Sequence, residues 1–169
     1  IVREYLSRNC LTNLGRVVMI APPNHGSELV DKFRKFPFYK FFTGPAGQQM
    51  RTDPEFPPNR LGPAHFDLGV IAGDSTLNPF YSMFLPGPDD GKVSVASTRL
   101  EGMDDFIVVH SSHTYLPWRR QVVDASVQFI AEGKFPTPTA RKTTPDQTVA
   151  STTSKTAVVY ASPKMQGRQ

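Results

Sequence analysis

Apolar residues along this chain gather in three short and nearly continuous runs, at residues 16–21, 68–73 and 105–109. Each run is followed by a loop that contains polar residues, Pro or Gly. Continuous apolar runs of about four to eight residues are typical of parallel strands that are buried on both faces. The pattern therefore predicts a mostly parallel sheet, and we expect residues 16–21 to form a central strand that is buried on both faces.

Helical periodicity lies between and around these runs. Residues 1–9 have the spacing of an amphipathic helix that directs Arg3 to solvent, and a short helix is expected over residues 28–34. Pro117 is well placed as the first residue of a longer helix that ends near Gly133. The apolar face that this helix is expected to bury consists of Trp118, Val122, Val123, Val127 and Ile130. Strands that alternate with helices indicate an α/β fold with flanking helices.

Two segments show neither the apolar runs of strands nor the spacing of amphipathic helices. Residues 36–66 are aromatic and rich in Pro, and such a segment is either a lid or binding loop, or an irregular excursion whose Phe side chains pack on the core. Beyond residue 135 the chain is rich in Thr, Ser and Pro, and it has too few apolar residues to offset the entropy of ordering. We therefore expect one domain over residues 1–135 and a low-complexity, disordered tail over residues 136–169.

The net charge of +4 comes from the C-terminal segment. Residues 134–169 carry six basic side chains and one acidic side chain, whereas the rest of the chain carries 13 basic and 14 acidic ones. The predicted domain has no basic surplus, so nucleic acid is not an expected partner. No stretch approaches the roughly 18 apolar residues that a transmembrane helix needs. The only cysteine, Cys10, excludes an internal disulfide.

Candidate chemistry collects at the ends of the predicted strands. Asn24, His25 and Ser27 follow the first strand, Asp74, Asp89 and Asp90 follow the second, and His110 and His113 follow the third. Sites in an open parallel sheet form at the carboxyl ends of the strands, so these groups are expected on one rim. An Asp on a loop and a later His match the last two members of the Ser…Asp…His order found in hydrolases.

Asp90 and His113 are the preferred pair on this rim. In acyl transfer a histidine takes a proton from a hydroxyl nucleophile, while a buried carboxylate holds the histidine tautomer. Asp90 precedes Gly91 and can lie at a sharp turn, and His113 lies in a loop from which an imidazole can reach across the rim. Asp89 and His110 are their rivals. An Asp-Asp-Gly sequence is also that of a plain turn, and His110 is expected to be fixed by packing.

Other chemistry on the rim has weaker support. A hydrolytic metal site could use Asp74, Asp89 and Asp90 with a histidine, but no His-x-x-x-His or similar spacing supports it, so neither a metal nor a cofactor is expected. His25 and Ser27 are close in sequence, yet Ser27 is not in a Gly-x-Ser-x-Gly motif, so a local Ser–His pair is weakly supported.

Several motifs taken together resemble the C-terminal half of a bacterial lipase/esterase-like α/β-hydrolase. The resemblance covers roughly residues 1–135, and each motif is modest alone but occurs in the order of that family. The motifs are Arg16-Val-Val-Met-Ile-Ala-Pro-Pro-Asn-His-Gly-Ser27, Gly44-Pro-Ala-Gly-Gln-Gln49, Val70-Ile-Ala-Gly73, Pro86-Gly-Pro-Asp-Asp-Gly-Lys-Val-Ser-Val95 and Ser112-His-Thr114.

The resemblance implies an α/β-hydrolase sheet of which this chain holds the C-terminal portion. It implies that Asp90 is the catalytic acid and His113 the catalytic base, and that Asn24, His25 and Ser27 lie in a loop that lines the substrate near the active-site entrance. The nucleophile elbow of the family would fall a few residues before Ile1, so the nucleophilic Ser and both oxyanion donors would belong to a missing N-terminal half. A small acyl ester is the implied substrate, and a soluble protein of the bacterial cytoplasm is slightly favoured although the compartment stays open.

Two functions remain open from the residues. The chain is either the C-terminal part of a serine hydrolase, which supplies the Asp and the His, or a non-catalytic fragment or interaction module that is inactive as an isolated chain. In the second case missing sheet neighbours should leave an exposed strand edge and apolar surface.

Overall fold

The three apolar runs form one parallel sheet. A computed structural model describes residues 1–35, 49–55, 57–77 and 79–137. Within these residues the strands are β1 (Val17–Ile20), β2 (Leu68–Gly73) and β3 (Asp105–Val109), in the order β1-β2-β3. Val17 is opposite Leu68, and Gly69 is opposite Asp105. The predicted parallel sheet with flanking helices is therefore confirmed.

Helices and short helical turns connect the strands. Their bounds are α1 (Val2–Arg8), α2 (Glu28–Phe33), α3 (Pro57–Arg60), α4 (Pro79–Ser82), α5 (Val95–Thr98), a 3₁₀ helix at Leu116–Trp118, and α6 (Arg120–Glu132). Helix α5 begins where the Ser94 hydroxyl accepts a hydrogen bond from the Ser97 N–H, which satisfies one of the free donors at a helix start. Helix α6 ends at Gly133, whose φ of 79° is the left-handed conformation that glycine adopts readily.

The core lies on both faces of β2, and every residue of β2 is buried. On one face Ile71 and Val109 pack with Val122 and Phe129 of α6. On the other face Val70 packs with residues that include Ala64 and Leu100. Burial on two faces explains why the β2 sequence is apolar at consecutive positions rather than at alternate ones.

Strand β1 differs from the expectation of a central strand that is buried on both faces. Val17, Val18 and Met19 are only half-buried, and the Ile20 side chain is exposed. The reason is that β1 pairs with β2 on one side only within the residues that the structure describes. Its apolar sequence is that of a strand with two neighbours, and one of those positions is open here.

Helix α6 buries a different face from the predicted one. Its buried residues are Val122, Ala125 and Phe129, whereas four residues of the predicted face are exposed. Those four are Trp118, Val123, Val127 and Ile130. The Phe129 and Phe135 rings pack with their centroids 4.9 Å apart, over Gly69 of β2, where a Cβ would come within 3 Å of both rings. The missing side chain at Gly69 is what fixes which stripe of α6 faces the sheet.

Some expectations fall on residues outside the described ranges. The lid or packing role of the aromatic segment rests mainly on residues 36–48, and the disordered tail rests on residues 138–169. Residues Ile1–Pro138 form one compact unit. The domain boundary near residue 135 therefore stays a prediction. No helix within the described parts of the chain is long and apolar enough to cross a membrane.

Candidate active site

At the rim of the sheet, the end of β2 and the end of β3 are in close contact with the loop that carries Asp89 and Asp90. We call this loop the acidic loop. Gly73 is the last residue of β2, and a Cβ added to it would lie 2.5 Å from the Ser111 carbonyl oxygen and 2.9 Å from the Asp90 Cβ. Real Cβ atoms do not approach so closely, so only glycine fits at this position. The absence of a side chain at Gly73 allows the loop of Asp90 to lie against the strand exits.

The Asp90 carboxylate is fully buried and is held by backbone donors. Its Oδ1 accepts hydrogen bonds from the Lys92 N–H at 3.0 Å and from the Val93 N–H at 2.9 Å, and the side chain has 0% of its surface exposed. Hydrogen bonds from backbone N–H groups to a carboxylate are stronger than those between neutral groups. The position of Asp90 is therefore determined by the loop itself.

His113 is bonded to Asp90 through both its ring and its backbone. The His113 Nδ1 lies 2.7 Å from the Asp90 Oδ2, and the His113 N–H donates to the Asp90 carbonyl oxygen at 2.9 Å. An ionised carboxylate can only accept, so Nδ1 donates to Asp90, and in a neutral imidazole the lone pair is then on Nε2. Within the described residues no hydrogen bond reaches Nε2, and the side chain is 30% exposed. This is the tautomer that a general base requires.

Asp89, the rival of Asp90, has different partners. Its Oδ1 accepts hydrogen bonds from the Ser82 hydroxyl at 2.8 Å and from the Gly91 N–H at 2.7 Å. Neither bond involves a histidine. The geometry thus brings Asp90 and His113 together, and it places Asp89 in the turn that a plain Asp-Asp-Gly sequence would form.

His110, the rival of His113, forms a second histidine–aspartate hydrogen bond on the same rim. Its Nδ1 lies 2.9 Å from the Asp74 Oδ1, and 84% of the His110 side chain is exposed. The expectation that packing fixes His110 is wrong. The residue follows β3, whose last residues alternate between the two faces, and its ring extends into solvent, where Asp74 is its hydrogen-bond partner among the described residues.

The loop after β1 holds its three candidate residues in different ways. Asn24 is buried and donates from Nδ2 to the Thr98 carbonyl oxygen at 2.8 Å, and Ser27 is buried and donates from Oγ to the Lys92 carbonyl oxygen at 2.9 Å. His25 is exposed. The two buried residues bind this loop to residues 92–98, next to the loop of Asp90. A substrate-lining role for Asn24, His25 and Ser27 stays a prediction.

Arg3 makes hydrogen bonds that the sequence pattern did not predict. We expected it in solvent, but its guanidinium donates to the Asn24 carbonyl oxygen at 3.1 Å, to the Asn24 Oδ1 at 3.3 Å and to the Gly62 carbonyl oxygen at 2.8 Å. Burial lowers the pKa of the Arg3 guanidinium. Arg3 thereby connects α1 to the loop after β1. Position on a helical face alone cannot reveal such a contact, because the partners are backbone carbonyls that are distant in sequence.

The carboxylates of the rim do not converge on a common point. Asp74, Asp89 and Asp90 each have separate hydrogen-bond partners. The described parts of the chain hold no group of three or more His, Cys, Asp or Glu side chains that could bind a metal ion.

The fold is similar to that of a solved bacterial lipase. The structure of Bacillus licheniformis lipase BlEst2 in its propeptide form matches 76% of this chain and 32% of that chain, with a TM-score of 0.54 and 16% identity. Its mature form matches 71% of this chain and 55% of that chain, with a TM-score of 0.49 and 16% identity. The present chain thus spans about half or less of those chains. No protein-family model and no curated protein matches the sequence. The described residues therefore have a partial α/β-hydrolase fold, similar to the corresponding part of this lipase.

Proposed function

We propose that this chain is the C-terminal part of a serine hydrolase that acts on an ester or a related acyl substrate. The observation that carries the proposal is the 2.7 Å hydrogen bond between the His113 Nδ1 and the buried Asp90 carboxylate at the rim of a parallel sheet. Position at the carboxyl ends of the strands, tautomer and burial of the acid all agree with the roles of base and acid in a Ser-His-Asp triad.

In the proposed reaction His113 acts twice as a proton carrier. Its Nε2 first accepts the proton of a serine hydroxyl as that oxygen attacks the ester carbonyl, and it then gives the proton to the departing alkoxide. A water molecule repeats both steps on the acyl-enzyme and releases the carboxylic acid. Asp90 holds the ring in place through Nδ1 and stabilises the imidazolium that forms between the two transfers.

The serine and the oxyanion donors are proposed to lie in a segment that precedes Ile1. Strand β1 supports this assignment, because among the described residues it pairs with β2 only and its apolar residues are half-buried, as for a strand that takes a further parallel neighbour. In hydrolases of this fold a nucleophile elbow follows such a strand, and the oxyanion donor next to the nucleophile comes with it.

An apolar surface near the acidic loop supports an acyl substrate. The Phe80 ring of α4 is about half exposed and packs against Phe84 at 5.3 Å and against Tyr81 at 6.0 Å between centroids. Helix α4 ends at Ser82, which is bonded to Asp89 of the acidic loop. An acyl chain could thus meet aromatic side chains on the helix that is bonded to Asp89, the neighbour of Asp90 in the chain.

The test compares two histidines of one rim in the full-length protein that contains this chain. His113→Ala should lower the rate of hydrolysis of a short p-nitrophenyl ester by about 10³-fold or more, as for triad members generally. His110→Ala is the matched control and should change the rate by less than about threefold, because an exposed pair contributes little. An unchanged rate in the His113→Ala protein would remove His113 from the mechanism.

The second candidate is a non-catalytic fragment or interaction module. The open β1 edge and the exposed Ile20 favour it, since such an edge can pair with another chain. This function predicts no ester hydrolysis and self-association of the isolated chain in size-exclusion chromatography. A monomer that unfolds cooperatively would contradict it.

A further inference from the structure

The two adjacent carboxylates of the acidic loop have divided roles, and the second role belongs to Asp89. Asp89 and Gly91 flank Asp90, and the bond from the Gly91 N–H to the Asp89 Oδ1 closes a turn around Asp90 at 2.7 Å. The Ser82 hydroxyl donates to the same oxygen at 2.8 Å and anchors that turn to α4. The carboxylate of Asp89, which does not touch His113, thus adds two hydrogen bonds to the backbone bonds that hold the loop around Asp90.

The turn around Asp90 is tightly packed at both of the residues that flank Asp90. Gly91 has a φ of 92°, a left-handed conformation, and a Cβ on it would lie 2.8 Å from the Thr76 Oγ1. Asp89 is itself buried, with 6% of its surface exposed, so its Oδ1 cannot exchange its two donors for water without cost. Loss of this acceptor would leave the Gly91 N–H and the Ser82 hydroxyl without a partner.

We propose that Asp89 is a positioning residue, which acts as a hydrogen-bond acceptor rather than as a charge and keeps Asp90 in register with His113. The expected effect of Asp89 on the rate of hydrolysis rests on the proposed hydrolase function. Its expected effect on the position of Asp90 relative to His113 does not depend on that function. Because only the acceptor oxygen matters, asparagine should replace Asp89 well, whereas it should not replace Asp90.

The direct readout is the tautomer of His113 in the 169-residue chain. Long-range ¹H–¹⁵N correlation spectra report which ring nitrogen carries the proton, and the unmodified chain should hold the proton on Nδ1. Asp90→Asn should move it to Nε2, because an amide can donate to Nδ1. Asp89→Asn should keep the proton on Nδ1. Asp89→Ala should give a mixture of both tautomers.

A smaller change protects the test against loss of folding. Ser82→Ala removes one of the two donors to Asp89 and should shift the tautomer in the same direction as Asp89→Ala, but less. Ser126→Ala is its matched control, since the Ser126 hydroxyl donates to a backbone carbonyl of α6 at 2.7 Å, and it should leave the tautomer unchanged.

Rates in the full-length protein give the second readout. Asp89→Ala should lower kcat for a p-nitrophenyl ester by about 10- to 100-fold with KM little changed, since displacement of a reacting group by about 1 Å has an effect of that size. Asp89→Asn should restore the rate to within about threefold of the original, because one acceptor oxygen remains.

Three results would overturn the positioning role. They are a folded Asp89→Ala chain with the original His113 tautomer, a Ser82→Ala chain that behaves as Ser126→Ala does, and an Asp89→Asn protein that loses as much activity as Asp90→Asn. If instead the tautomers follow the prediction and the full-length protein hydrolyses no ester, the positioning role stands and the hydrolase proposal fails.

Discussion

Two histidine–aspartate pairs lie on one rim of this sheet, and they differ in burial far more than in distance. Nδ1 of His113 is 2.7 Å from Asp90, and Nδ1 of His110 is 2.9 Å from Asp74. The side chains of the first pair are 30% and 0% exposed, whereas those of the second are 84% and 35% exposed.

The comparison shows that distance does not separate the two pairs, whereas burial and backbone hydrogen bonds do. The Asp90 carboxylate is fixed by two backbone N–H groups, and its loop also accepts the His113 backbone N–H. The Asp74–His110 pair lies in water, where side-chain entropy and solvent screening cancel most of the attraction. A base that must reach the same point in every catalytic cycle requires the first environment.

The largest difference in stability between the pairs is expected when the acid is removed. Asp90→Ala leaves three donors without their acceptor and should lower the free energy of unfolding by about 2–4 kcal/mol. Asp74→Ala should lower it by less than about 0.5 kcal/mol, because the pair is exposed. Urea denaturation of the two variants measures both values. Equal losses would show that burial does not distinguish the pairs.

A substitution at a residue outside both pairs tests whether the rim depends on close approach of the backbone. Gly73→Ala should lower the free energy of unfolding by about 1–3 kcal/mol, because the added Cβ would displace Asp90 or the carbonyl of Ser111. Gly15→Ala is the matched control, since nothing lies within 4 Å of a Cβ there. Gly15→Ala should be neutral or stabilising by up to about 1 kcal/mol. A tolerated Gly73→Ala would remove the packing constraint on the acidic loop.

The smallest expected effect is the coupling energy of the exposed pair. A double-mutant cycle with Asp74→Ala and His110→Ala should give about 0–1 kcal/mol, and the value should fall when salt is raised. The same cycle on Asp90 and His113 should depend little on salt, because buried groups are screened less. A salt-independent coupling in the exposed pair would contradict its description as a surface contact.

Sequence reasoning reached the sheet and the neighbourhood of the site, but it could not resolve contacts that depend on tertiary packing. Apolar runs and strand exits predicted β2, β3 and the preference for Asp90 and His113 over their rivals. The buried face of α6 was missed, because Gly69 leaves room for Phe129, and a helical pattern does not show where a facing sheet lacks a side chain. The open side of β1 was expected only for a non-catalytic fragment, because an apolar strand sequence does not record whether its neighbour is present.

The positioning role proposed for Asp89 could not be predicted from the sequence either. Asp89 and Asp90 are adjacent and chemically identical, so their sequence left them as rivals. Their difference comes from the hydroxyl of Ser82, which the fold brings to Asp89, and from the ring of His113, which it brings to Asp90.

Covalent labelling of the full-length protein with a fluorophosphonate tests the central claim most directly, because such a reagent reacts only with a hydroxyl that a base has activated. We expect one label, on a serine that precedes Ile1, and a labelling rate at least about 10³-fold slower in the His113→Ala protein. A label on Ser27, or a rate that does not depend on His113, would contradict the assignment of Asp90 and His113 as the acid and base of a serine hydrolase.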